Sequence, residues 1–126
     1  MDCGLKMKAV YPFVGGTSAS HKWNLKNPLD TNAAFRLVFN GGMTHSSTGI
    51  LFGGVNGYGD SFLIPNSVLT LNSVHLSYYS RTNISEAKNE IGCWDGGGIH
   101  YTLIGLFRSD LTNITYSIIQ NTNFPY

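Results

Sequence analysis

Across residues 74–82 the chain alternates in character, and that pattern limits its possible folds more than any other. Val74, Leu76, Tyr78 and Ser80 fall on one side, and His75, Ser77, Tyr79 and Arg81 on the other. A period of two puts successive side chains on opposite faces of an extended strand. Other runs repeat the theme. Ala9, Tyr11 and Phe13 share a face in residues 8–13, where Pro12 indicates an edge strand. Phe35, Leu37 and Phe39 share one in residues 34–39, closed by Asn40-Gly41-Gly42. Residues 90–94, 99–107 and 114–119 read as further strands, with Ile114, Tyr116 and Ile118 aligned. Residues 99–107 become apolar on both faces, as a buried strand would be. Residues 17–31 read as a long loop pinned by Trp23 and Leu25, residues 61–71 as loop, and residues 83–89 as a hairpin tip. No segment longer than a turn carries a helical period.

Composition agrees. Charged residues are 12%, about half the usual share, and their place is taken by 12 Asn, 12 Ser, 10 Thr and 15 Gly. Long surface helices need Glu, Lys and Arg on their wet face, whereas Asn, Gly, Thr and Tyr favour strands and turns. The expected fold is all-β, an antiparallel β-sandwich of jelly-roll or concanavalin-like type, in one domain over residues 1–126. Residues 1–5 would be an N-terminal extension and residues 121–126 a tail. The expected interior is Phe35, Leu37, Phe39, Leu76, Tyr78, Ile99, Tyr101 and Leu103. A net charge of +1 with scattered basic residues gives no footprint for nucleic acid or an anionic membrane. No run approaches the roughly 18 apolar residues of a membrane helix. Met1 to Lys6 lacks a signal-peptide pattern, so the expectation is a protein that stays where it is made or leaves by lysis.

Motifs that could carry chemistry are weak. Gly59-Asp60-Ser61 is similar to the nucleophile block of SGNH esterases, but a turn precedes it and no partnering Asp-x-x-His follows. Asp60 reads better as a loop residue capping backbone amides. Residues 53–59 lack the Lys and Ser/Thr of a phosphate-binding loop. Among the acids, Glu86, Glu90 and Asp95 are close in sequence, yet Glu90 and Asp95 fall at opposite ends of a short strand, which suits neither glycosidase geometry. His21, His45, His75 and His100 show no ligand spacing, so no transition-metal site is expected. Calcium is the one cofactor considered, through Asp60, Asp95 or Asp110 with loop carbonyls. Cys3 and Cys93 fit no metal spacing and are expected as two free thiols in preference to a disulfide. Catalytic residues are expected to be none. A sugar site would use Asn56, Tyr58, Asp60, Trp94 and Asp95, which pair aromatic faces with amide and carboxylate groups on loops, although Trp94 also suits a core position.

Three stretches carry a resemblance. The first is Lys6-Met7-Lys8-Ala9-Val10-Tyr11-Pro12-Phe13-Val14-Gly15-Gly16-Thr17 with His21-Lys22-Trp23-Asn24-Leu25-Lys26-Asn27-Pro28. The second is Asp30-Thr31-Asn32-Ala33-Ala34-Phe35-Arg36-Leu37-Val38-Phe39-Asn40-Gly41-Gly42 with Thr44-His45-Ser46-Ser47-Thr48-Gly49. The third is Asn56-Gly57-Tyr58-Gly59-Asp60-Ser61 with His75-Leu76-Ser77-Tyr78-Tyr79-Ser80-Arg81-Thr82-Asn83. Across residues 6–92 the chain resembles the concanavalin-like (laminin-G-like) sandwich domains of tailed-bacteriophage virion proteins. The resemblance implies a non-enzymatic structural or decoration component of the virion, assembled in many copies with other virion proteins. Host surface glycans are a further partner it allows. The carboxyl-terminal half of the usual domain is shortened here, which implies a sandwich incomplete at that end or completed by neighbouring copies.

Overall fold

In the computed structural model, residues 7–69, 75–81, 87–94, 101–109 and 112–121 are described. Their regular elements are mostly strands, in antiparallel sheets with a few one-turn helices, so the chain is all-β. Among these residues no helix is long and apolar enough to cross a membrane. The chain gathers into two compact units, Met1–Leu63 and Ile64–Tyr126.

The first unit holds four short strands. β1 (Val38–Asn40) pairs antiparallel with β4 (Tyr58–Asp60), and between them β2 (Met43–Ser46) pairs with β3 (Gly49–Phe52). This is one long hairpin broken in its middle, where residues 53–57 on one side oppose residues 41–42 on the other. The break needs glycine. Gly41 has φ +74°, and a Cβ there would fall on the Asn56 carbonyl. Gly42 has open space around it. Gly41→Ala is therefore expected to cost about 2–3 kcal/mol in urea unfolding, and Gly42→Ala less than about 0.5. Equal losses would show that the break tolerates a side chain.

Several sequence expectations are corrected here. Residues 8–13 form no strand; Lys8 bends, Phe13 takes a left-handed φ of 50°, and the segment is tied to residue 24 and its neighbours by separate hydrogen bonds. Residues 17–31 are not all loop. Thr17 accepts from the Ser20 amide and the Ser20 hydroxyl returns to the Thr17 backbone, and this capping box starts α1 (Ser18–His21). Trp23 is half-buried and the Leu25 side chain is exposed, though its amide donates to the Val10 carbonyl; buried Asn24 between them supplies the side-chain ties. The expected strand over residues 34–39 shrinks to β1. Thr31 caps a 3-10 turn (Asn32–Ala34), and Phe35 then takes the left-handed conformation at φ 59°, which no strand accommodates. Its alternation is real, but only Val38 and Phe39 reach the ladder.

The interior of this unit is small and polar at its centre. Ala34 (1% exposed) and Leu37 (8%) are its buried hydrophobics, joined by His21 and Asn24 at 1% each. Phe35 and Phe39, expected in the core, are half-buried. Asn24 is fully bonded. Its Oδ1 accepts from the Val10 and Lys26 amides, and its Nδ2 donates to the Lys8 and Ala34 carbonyls. Direct backbone bonds from Leu25 to Val10 and from Leu37 to Lys22 run beside it.

In the second unit α2 (Pro65–Val68) supplies one turn within the expected loop, started by proline at its first position. Residues 75–81 alternate in burial as the sequence requires, with Leu76, Tyr78 and Ser80 half-buried and His75, Ser77, Tyr79 and Arg81 exposed. They join no ladder, however. The strands lie further on: β5 (Ala87–Trp94), β6 (Tyr101–Ser109) and β7 (Thr112–Asn121), ordered β5-β6-β7 and antiparallel throughout. The expected hairpin tip over residues 83–89 is shorter, because Ala87 to Asn89 already pair with Phe107 to Gly105. In the β6–β7 ladder Leu103 pairs with Ile118, Gly105 with Tyr116 and Phe107 with Ile114, and the register shifts before Tyr101 pairs with Asn121. Ile99 lies outside the described residues.

Candidate functional site

Of the residues singled out for a ligand, Asn56, Tyr58 and Asp60 lie together in the first unit. Asn56, exposed, accepts from the Gly42 amide at 3.4 Å through Oδ1. Tyr58 opens β4 opposite Asn40 and is 56% exposed. Asp60 closes the same strand; its Oδ1 accepts from the Phe62 amide at 2.7 Å. That bond is an Asx turn and leaves Oδ2 without that duty. Trp94 closes β5 in the other unit, and Asp95 lies outside the described residues. For calcium, Asp60 already serves a backbone amide, while Asp95 and Asp110 are outside the described residues. Among the described residues no three His, Cys, Asp or Glu side chains gather as a metal site. Cys93 is a half-buried free thiol; Cys3 lies outside the described residues.

The titratable cluster that forms was not legible from spacing. His21, on the last turn of α1, meets His45, on the inward face of β2, with Nδ1 to Nδ1 at 3.0 Å. A row of rings surrounds them. Tyr11 stacks on Phe13 at 6.4 Å, Phe13 meets His21 edge-on at 6.0 Å, and Phe39 meets His45 edge-on at 4.7 Å. The two histidines are 24 residues apart. The available signal was indirect: the Thr17-to-Ser20 capping box, and His45 sharing a strand face with Met43.

Hydrogen bonding assigns the protons. The Gly16 amide donates to His21 Nε2 at 3.2 Å, so that nitrogen must carry a lone pair. The proton of neutral His21 then sits on Nδ1 and is donated to His45 Nδ1, which leaves the His45 proton on Nε2. Burial holds the His21 pKa below its ordinary value, and the neighbouring His45 lowers it further. The arrangement suits a hydrogen bond and not a metal. An ion bridging both Nδ1 atoms would move the His21 proton to Nε2, against the Gly16 N–H. Nor does the pair offer a general base, since the lone pair of His21 and that of His45 are both engaged.

The other chemical suspects are tied down in similar ways. Tyr11 donates its hydroxyl to the Phe35 carbonyl, and burial pushes its pKa up to about 12 against a lowering contact from Ser61. Ser61 Oγ accepts from the Leu63 amide at 3.3 Å, a local turn in place of an activated nucleophile. Glu90 sits at the irregularity between Asn89 and Ile91 in β5, where the register shifts. Its carboxylate meets the Tyr78 hydroxyl, whose pKa rises to about 12, first by burial and then through Glu90. Glu86 lies outside the described residues. A shallow apolar groove of about 540 Å³ runs between Pro12, Val14, Trp23, Leu25 and Pro28, with Lys22 Nζ 4.7 Å from the Trp23 ring centre.

Comparison with protein-family models, curated proteins and solved structures finds no match.

Proposed function

We propose that this chain is a non-enzymatic structural or decoration component of a tailed-phage virion, assembled in many copies. In this reading its strands belong to a laminin-G-like or jelly-roll β-sandwich, as the resemblance over residues 6–92 implies. One observation supports the assembly role above others. The first unit buries only Ala34 and Leu37 among its described hydrophobics, yet Met7, Val14, Leu25, Leu29, Leu51, Val55, Tyr58 and Phe62 are all at least 40% exposed. Val55 reaches 97%. Apolar surface on that scale, against so small an interior, suits side chains that neighbouring proteins cover. The low charge of the exterior allows dense repetition without strong repulsion. The engaged histidine pair argues for a structural role at the place where catalysis would otherwise be sought.

A lectin-like reading is favoured by a different observation, the exposed Tyr58 ring, two residues from Asn56 on one side and two from Asp60 on the other. One experiment weighs the two. Purified virions produced from the genome that encodes this chain are expected to contain it at many copies per particle by quantitative mass spectrometry. Its absence from particles would overturn the structural role. Titration with host surface polysaccharide is expected to leave Tyr58→Ala and the unaltered chain alike. A tenfold or greater loss of binding in Tyr58→Ala, at unchanged melting temperature, would move the function to glycan recognition.

A further inference from the structure

We infer that a second copy of this chain adds to the outer edge of β7, antiparallel and centred on Tyr116, to make a continuous six-stranded sheet. The inference rests on the multi-copy reading above and specifies the contact that would build it. A terminal strand carries a row of backbone N–H and C=O groups facing outward, and the partner that satisfies such a row is another strand. The two edges of the β5-β6-β7 sheet differ sharply. β5 bears Lys88 and Glu90 and a bulge at Asn89/Ile91, all features that discourage edge pairing. β7 is ten residues long and carries no charge, no proline and no glycine, and its one register shift falls between Ile118 and Asn121, beyond the segment centred on Tyr116. Among the described residues nothing pairs with its outer side.

The sequence of β7 selects the occupant. Ile114-Thr115-Tyr116-Ser117-Ile118 has the same chemistry in both directions: aliphatic, hydroxyl, aromatic, hydroxyl, aliphatic. A twofold contact requires that whenever residue i meets residue j, residue j also meets residue i. Antiparallel pairing about Tyr116 satisfies this rule with like against like. Tyr116 meets its own copy, Ile114 meets Ile118 twice, and Thr115 meets Ser117 twice. Because β7 is uncharged, no like charges oppose one another in that register. Ile114, Tyr116 and Ile118 share a face with Phe107 and Leu103 of β6, so the joined sheet carries one apolar face across both copies.

The test uses the full chain. Sedimentation velocity over a concentration series is expected to show a species of twice the 13.8 kDa chain mass. Tyr116→Lys, which sets two ammonium groups opposite one another at the axis, is expected to shift dimerisation at least tenfold toward monomer. Should that variant fail to fold by circular dichroism, cysteine trapping decides. Tyr116→Cys is expected to cross-link into a covalent dimer on mild oxidation, beyond the level of the unaltered chain, and Thr112→Cys is not, because its partner in this register is Gln120. A chain monomeric at every concentration, or equal cross-linking at both positions, overturns the inference. A chain found in virions without cross-linking at residue 116 sinks this contact and spares the assembly role. A Tyr116-centred dimer absent from virions does the reverse.

Discussion

Replacing Asn24 with alanine is expected to lower the stability of the first unit by about 3–5 kcal/mol, enough to leave it largely unfolded at 37 °C. The size follows from what the side chain does. One buried amide satisfies two backbone N–H groups and two carbonyls, at Val10, Lys26, Lys8 and Ala34. The segments it joins share no ladder, so truncation leaves four backbone groups to find water or remain unpaired. For a domain of this size a loss of 1 kcal/mol lowers Tm by roughly 4–8 °C, so a fall of about 15 °C or more is expected. Asn24→Asp sharpens the argument. It has nearly the same shape and keeps both acceptor contacts, but it sets a carboxylate against the Lys8 and Ala34 carbonyls. It should be at least as destabilising at neutral pH and recover part of the loss in acid, where the carboxyl can donate again. A cost under about 1 kcal/mol for Asn24→Ala, measured by urea unfolding, would remove the amide from the centre of the fold.

Acidification is expected to destabilise the same unit through His21. Its pKa is depressed in the folded chain and ordinary, near 6.5, in the unfolded chain. Below that value the unfolded state takes up a proton that the folded state resists, so stability rises with pH. The contribution is complete above about pH 6.5 and is lost progressively as pH falls toward the depressed folded value. One such group changes stability by at most about 1.4 kcal/mol per pH unit. The structural reasons are the burial of the ring and then the neighbouring His45, and the fixed Gly16 amide meets a lone pair on Nε2 that a second ring proton would displace. His21→Gln is less stable at pH 7.5 but loses this slope. The gap between it and the unaltered chain should therefore narrow from pH 7.5 to pH 5. Parallel pH profiles for the two proteins would exclude His21 as the titrating group.

How far the sequence could be read depended on the range of the interaction involved. Period-two patterning is local, and it correctly gave the all-β class and the positions of β6 and β7. It also gave the faces of residues 75–81, whose burial alternates as Leu76 and Tyr78 require. Patterning says nothing about whether an extended segment finds a partner, which is why residues 8–13 and 75–81 looked like strands and are not. Phe35 shows a second limit. Its spacing from Leu37 and Phe39 fits a strand, but the Thr31 cap and the 3-10 turn force it into a left-handed conformation that periodicity cannot register. Asn56, Tyr58 and Asp60 could be picked out as neighbours because glycine and asparagine mark a turn locally. The His21–His45 contact was missed because it joins a helix turn to a hairpin through a fold that the sequence does not display.

The polar centre of the first unit has a thermal consequence. Unfolding exposes an imidazole, an amide and two modest hydrophobic side chains where most domains release a packed hydrocarbon interior. Exposed apolar surface raises heat capacity and exposed polar surface lowers it. The unit should therefore have a heat-capacity increment below the usual range of roughly 12–15 cal/mol/K per residue. Its stability curve is correspondingly broad and shallow, so that cooling weakens it little and its tolerance of temperature resides in hydrogen bonds more than in the expulsion of water.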